Sequence, residues 1–124
     1  PYEQRLIAGL KSATGKAISL HICGDAGAIL PDMASSDADV LEIDHKVDLA
    51  NACRIVGPRI ALWGNLDPVG VLAQGSAEQV RQASRQVVEA ARDCEHRRFV
   101  LSSGCTLAPE TPFENLEAML HCAR

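Results

Sequence analysis

Leu6, Ile7 and Leu10 recur at helical spacing ahead of Gly15, which predicts a helix over residues 2–13 that stops at the glycine. From residue 17 the period changes to two. Ile18, Leu20 and Ile22 alternate with Ala17, Ser19, His21 and Cys23, so residues 17–23 read as a strand with large aliphatic side chains on one face and small or polar ones on the other. Beyond Gly24-Asp25-Ala26-Gly27 a short helix is expected over 28–34, and residues 39–44 form a second strand in which Leu41 and Ile43 oppose Glu42 and Asp44. A helix over 47–56 ends at Gly57-Pro58, and residues 59–65 give a third strand with Ile60, Leu62 and the sole tryptophan, Trp63. Residues 68–73 read as a short helix. Ser76 opens a long one, where Gln79 completes a capping box and Val80, Ala83, Val87, Val88 and Ala91 form the apolar stripe. A fourth strand covers 99–102. Thr111, Pro112 and Glu114 supply an N-cap, a first-turn proline and a box partner for a last helix running to about Cys122. Trp63 and Leu101 are expected in the core.

Strands separated by helical segments of this length imply parallel βαβ units with right-handed crossovers. Four such units occupy residues 1–124 as one domain, without a linker or an evident repeat. Strands with one aliphatic and one small or polar face suit a barrel interior lined inside and covered by helices outside. A full (β/α)8 barrel takes about 250 residues, so the expected fold class is α/β, four βα units forming half of a TIM barrel. An isolated half leaves two strand edges unpaired, which calls for a missing half-barrel or a second copy of the chain as partner.

Composition narrows the function. Twelve basic against 16 acidic residues give a net charge of −4, which lacks the basic footprint of a nucleic-acid binder. No apolar run approaches the roughly 18 residues of a membrane span and the first residues lack a signal-peptide pattern, so a soluble, cytoplasmic protein is expected. Five cysteines, an odd number, favour reduced thiols or metal ligands over a disulfide framework.

His21 and Cys23, two apart at a strand end, project to the same face, and Cys105 follows the fourth strand at the equivalent end. In a parallel barrel that end carries the active site. One nitrogen and two thiolates form a plausible three-ligand zinc site with an open fourth position; on spacing alone, a buried and inert histidine and cysteine is the commoner outcome. Asp44 is compatible with a fourth oxygen ligand, with an outer acceptor holding the His21 imidazole, or with an ordinary capping aspartate. His45, His96 and His121 read as surface residues, and Cys53, Cys94 and Cys122 as core or lightly exposed helix residues. Gly24 and Gly27 read as a tight rim turn. Asn65 and Asp67 suit either a pocket wall or turn chemistry.

The strings His21-Ile22-Cys23-Gly24-Asp25, Leu41-Glu42-Ile43-Asp44, Val47-Asp48-Leu49, Gly64-Asn65-Leu66-Asp67-Pro68, Leu101-Ser102-Ser103-Gly104-Cys105 and Thr111-Pro112-Phe113-Glu114-Asn115-Leu116 occur in that order. Together they resemble the C-terminal half of the uroporphyrinogen decarboxylase superfamily, and within it the cobalamin-dependent methyltransferases acting on coenzyme M and related thiols. The resemblance implies a (β/α)8 barrel, with His21, Cys23 and Cys105 as zinc ligands and Asp44 at an acidic position near the metal. It also implies a methylated corrinoid on a partner protein as methyl donor and a zinc-activated thiol as acceptor. Two other readings stand beside it: a metal-independent decarboxylase of tetrapyrrole carboxylates, and a non-catalytic half-barrel that binds a metal or a partner.

Overall fold

The computed structural model describes residues 2–122. Its helices are α1 (Tyr2–Thr14), α2 (Leu30–Ala34), α3 (Leu49–Val56), α4 (Ala77–Asp93) and α5 (Phe113–Cys122), and its strands β1 (Ser19–Ile22), β2 (Val40–Ile43), β3 (Ala61–Leu66) and β4 (Phe99–Ser103). A 3-10 turn over Gly27–Ile29 precedes α2, and a π-helical turn over Pro68–Ala73 follows β3. All strand pairings are parallel in the order β1-β2-β3-β4, so four βα units form half of a barrel wall, as the alternation predicts.

Local chemistry sets the boundaries. The α3 helix starts at Leu49 because the Asp48 carboxylate accepts from the Asn51 amide at 2.6 Å, and it stops where Gly57 takes φ 70°. The Ser76/Gln79 capping box forms as expected, with both reciprocal bonds present. The box expected at Thr111 does not: its hydroxyl donates to the Ala108 carbonyl at 2.7 Å, fixing the turn ahead of α5.

Because side chains alternate along each strand and paired residues share a face, the sheet has two distinct surfaces. Leu41, Ile43, Leu62 and Leu66 point outward and are buried, the first three against α2, α3 and the interior side of α4, and Leu66 beside Leu72, Val80 and Ala118. Ser19 and His21, Val40 and Glu42, Ala61, Trp63 and Asn65, and Val100 and Ser102 line the other surface, which is the barrel interior. Trp63 belongs there and is 38% exposed, which corrects the expectation that it is a core residue. Leu101 faces outward and is partly buried in the second cluster. Of the three apolar positions on α1, only Ile7 is buried; Leu6 and Leu10 are exposed on a helix that leads into the unpaired edge of β1.

Candidate metal centre

The first strand ends at Ile22, and the chain turns at Gly24 with φ 84°, leaving Cys23 at the rim directly above His21. The imidazole Nε2 lies 3.1 Å from the Cys23 sulfur, and that sulfur lies 3.4 Å from Cys105 Sγ. One ligating atom from each of His21, Cys23 and Cys105 falls within 4.8 Å of the others. The structure thus brings together three residues whose first and last members come from opposite ends of the sheet.

Cys105 reaches this position because the segment after β4 crosses the rim. Gly104 donates to the Leu66 carbonyl at 2.7 Å and lies flat on the backbone of residues 44 and 45. A Cβ there would sit 3.0 Å from the Asp44 carbonyl carbon and closer still to the His45 backbone nitrogen, so only glycine allows the crossing.

Nδ1 of His21 is 3.0 Å from the Glu42 carbonyl oxygen and 3.8 Å from its carboxylate. A proton on Nδ1 donated to that carbonyl leaves the Nε2 lone pair facing the two sulfurs, the tautomer and orientation of a metal-ligating histidine. Burial pushes the His21 imidazole down, but its hydrogen bonds to Cys105 and the Glu42 carbonyl outweigh this and hold it above its ordinary value. The thiols are unequal. Hydrogen bonds from Cys23 and then His21 lower Cys105, whereas the same contact with Cys105 raises Cys23. Two sulfurs and a nitrogen in one corner, with a histidine already oriented from behind, fit a zinc ion in a three-ligand site with one open position.

Asp44 is buried, and of the three readings open for it the contacts match the capping one. Its carboxylate accepts from the amides of Gly24 at 2.8 Å and Lys46 at 3.0 Å, tying the β1 rim loop to the end of β2. Burial pushes this carboxyl up, but the Gly24 and Lys46 amides overcome that and keep it below the usual carboxylate range. It stands outside the ligand group, and the acceptor behind the imidazole is the Glu42 carbonyl rather than Asp44.

Turn chemistry accounts for Asp67, which accepts from the amides of Val69 and Gly70, whereas Asn65 donates from β3 to the carbonyls of Asp44 at 3.2 Å and Val47 at 2.8 Å, a long-range tie that sequence reasoning missed. His45 is half-buried, with Nδ1 3.1 Å from the Asp44 carboxylate and Nε2 4.0 Å from that of Asp67. His96 is 6% exposed at the opposite end of the sheet, which corrects its surface assignment; His121 is exposed as expected. Cys53 is a buried thiol pushed up to about 12, first by burial and then by neighbouring Cys94, and is chemically inert.

The family model described as uroporphyrinogen decarboxylase (URO-D) matches residues 1–124. A methylcobamide:CoM methyltransferase, MtbA, of Methanosarcina mazei is 33% identical over 124 residues, covering 100% of this chain and 34% of the relative. A uroporphyrinogen decarboxylase of Nostoc punctiforme is 35% identical over 125 residues, again covering 100% of this chain and 34% of the relative. The chain thus spans about one third of the length of these curated relatives. Among solved structures, a methyltransferase from Methanosarcina mazei superposes with a TM-score of 0.83 at 27% identity, over 97% of this chain and 34% of that one. Matched by the family model along its whole length, the chain belongs to the uroporphyrinogen decarboxylase family.

Proposed function

We propose that this chain is the C-terminal half-barrel of a zinc-dependent methyltransferase, which moves a methyl group from a methylated corrinoid protein to a small thiol of the coenzyme M type. The observation that carries the reading is the convergence of His21, Cys23 and Cys105. A decarboxylase acting on a tetrapyrrole carboxylate has no use for two thiols and an oriented imidazole in one corner. The relatives named as methylcobamide:CoM methyltransferases support the same reading.

His21 would hold the metal through Nε2, with Nδ1–H on the Glu42 carbonyl fixing the ring, and Cys23 and Cys105 would bind as thiolates. Zinc there would lower the pKa of a thiol in its open position, so that a nucleophilic thiolate exists at neutral pH. Asp44 anchors the loop that carries Cys23 through the Gly24 amide, and adds negative charge beside the thiols. The products are the methyl thioether and the corrinoid with its cobalt reduced. The corrinoid protein, the thiol and the remaining half of the barrel are the partners. Exposed Leu6 and Leu10 on α1 and exposed Phe113 and Leu120 on α5, the first and last helices, support a neighbour at each edge. No described helix is long and apolar enough to cross a membrane.

The test is elemental analysis of protein purified without a metal-affinity step, beside the Cys23→Ala, Cys105→Ala double variant. About one zinc per chain is expected in the wild type and almost none in the variant, with secondary structure retained because both residues lie on rim loops. A variant with full zinc overturns the ligand assignment; a metal-free wild type leaves two readings, a decarboxylase, which predicts porphyrinogen turnover indifferent to chelators, and a half-barrel too incomplete to hold its metal.

A further inference from the structure

Two inner-face side chains, Glu42 and Trp63, have no part in the ligand set. Their register is fixed by the sheet: His21 pairs with Glu42, and Glu42 with Trp63. The three side chains therefore stand in one row across the barrel interior, each one strand spacing of about 4.8 Å from the next. Because His21 is a member of the row, the row lies at the depth of the metal centre rather than in the packed layers beneath it. Both side chains are open to this surface, Glu42 at 31% and Trp63 at 38% exposure.

Among the described residues no lysine or arginine pairs with the Glu42 carboxylate. The nearest basic group is His21 Nδ1 at 3.8 Å. With a metal on Nε2 that ring is neutral, and its one proton points to the Glu42 carbonyl. The other side chains of the described inner face are Ser19, Val40, Ala61, Asn65, Val100 and Ser102, none of them basic. A carboxylate with no described cation beside it, in register with an indole on the same face, is the pair of groups that recognises an ammonium, by charge and by cation–π attraction.

We propose that Glu42 and Trp63 form the tail subsite for the thiol acceptor, and that this acceptor carries an ammonium group close to its sulfur. The proposal rests on the thiol-activation reading above and narrows it: the sulfur end is that of a coenzyme M-type thiol, while the tail is cationic in place of a sulfonate. A negative tail entering the same space meets the Glu42 carboxylate and is repelled.

Three two-carbon thiols separate the possibilities, since 2-aminoethanethiol, 2-mercaptoethanol and 2-mercaptoethanesulfonate differ only in a positive, neutral or negative tail. Each is titrated into the full-length protein loaded with cobalt(II), and binding is read from the sulfur-to-cobalt charge-transfer absorbance, corrected for the thiol's own pKa. The aminothiol is expected to bind about tenfold or more tighter than the sulfonate, with the alcohol between them. Glu42→Gln should bring the three within about twofold, Glu42→Lys should reverse the order, and Trp63→Leu should weaken the aminothiol alone by about threefold, cobalt content staying at the wild-type level throughout. Equal affinities in the wild type, a preference for the sulfonate, or a preference that survives Glu42→Gln each overturn the tail assignment while leaving thiol activation intact. A cobalt spectrum that responds to none of the three overturns both.

Discussion

Leu62 and Trp63 are adjacent in sequence and in strand, yet Leu62 is completely buried and Trp63 is 38% exposed. The difference is one of faces. The outer face of the sheet is dry and aliphatic, closed by helices of the same chain, and it supplies the stability. The inner face carries the imidazole, the carboxylates and the indole, and these 124 residues leave it open. Parallel sheets are buried on both sides in most proteins, so the open inner face is the one that a neighbour would cover. Size and hydrophobicity do not tell the two apart; only the pairing register and the position of the helices do.

The contrast breaks most visibly under Leu62→Ala, which should cost about 2–5 kcal/mol in a denaturant titration. Next comes Gly104→Ala, in which the rim crossing must shift off the residue 44–45 backbone and carry Cys105 with it. Zinc affinity measured by chelator competition should fall about 10- to 100-fold with little change in unfolding midpoint. Trp63→Ala should destabilise this chain by less than about 1 kcal/mol in the same titration, because the indole has no cover here to lose. A loss equal to that of Leu62→Ala would erase the distinction between the faces. The smallest effect concerns His96, whose imidazole is held below its ordinary value by burial and the nearby Arg98 charge against an opposing Ile60 carbonyl. The unfolded chain therefore takes up the proton first. Stability is whole above about pH 6.5 and declines as pH falls through the interval beneath it, and His96→Gln should flatten that decline in thermal unfolding scans.

Much of the fold was legible because it is periodic. The switch between periods of two and 3.6 marked all four strands, and the Ser76/Gln79 box and Gly57 marked helix ends that formed as read. His21 and Cys23 were legible as a pair because alternation places them on one face. Cys105 was recognisable only by its place after the fourth strand and by family resemblance, since nothing in a local string reveals that a loop crosses the rim. The Glu42 carbonyl behind His21 was invisible for a related reason: a backbone acceptor has no residue type to search for. His96 read as a loop histidine, but the end of α4 turns back under the sheet and buries it. The inner face of β3 was misjudged because an aromatic side chain carries no label saying which side of a strand is covered.

Cys23 and Cys105 are 82 residues apart and meet only at the rim. An ion shared by them would work as a clasp between the first and last strands of the sheet, closing a loop that runs from α2 to β4. Closing so long a loop early in folding carries an entropic cost, so such a clasp would fasten last, once β1 to β4 already hold their spacing. Its tightness then measures the curvature of the wall: a sheet that flattens separates the two sulfurs and releases the ion. Metal occupancy would thereby become a gauge of how the wall is curved, and a neighbour that completed the barrel would set how firmly the clasp is shut.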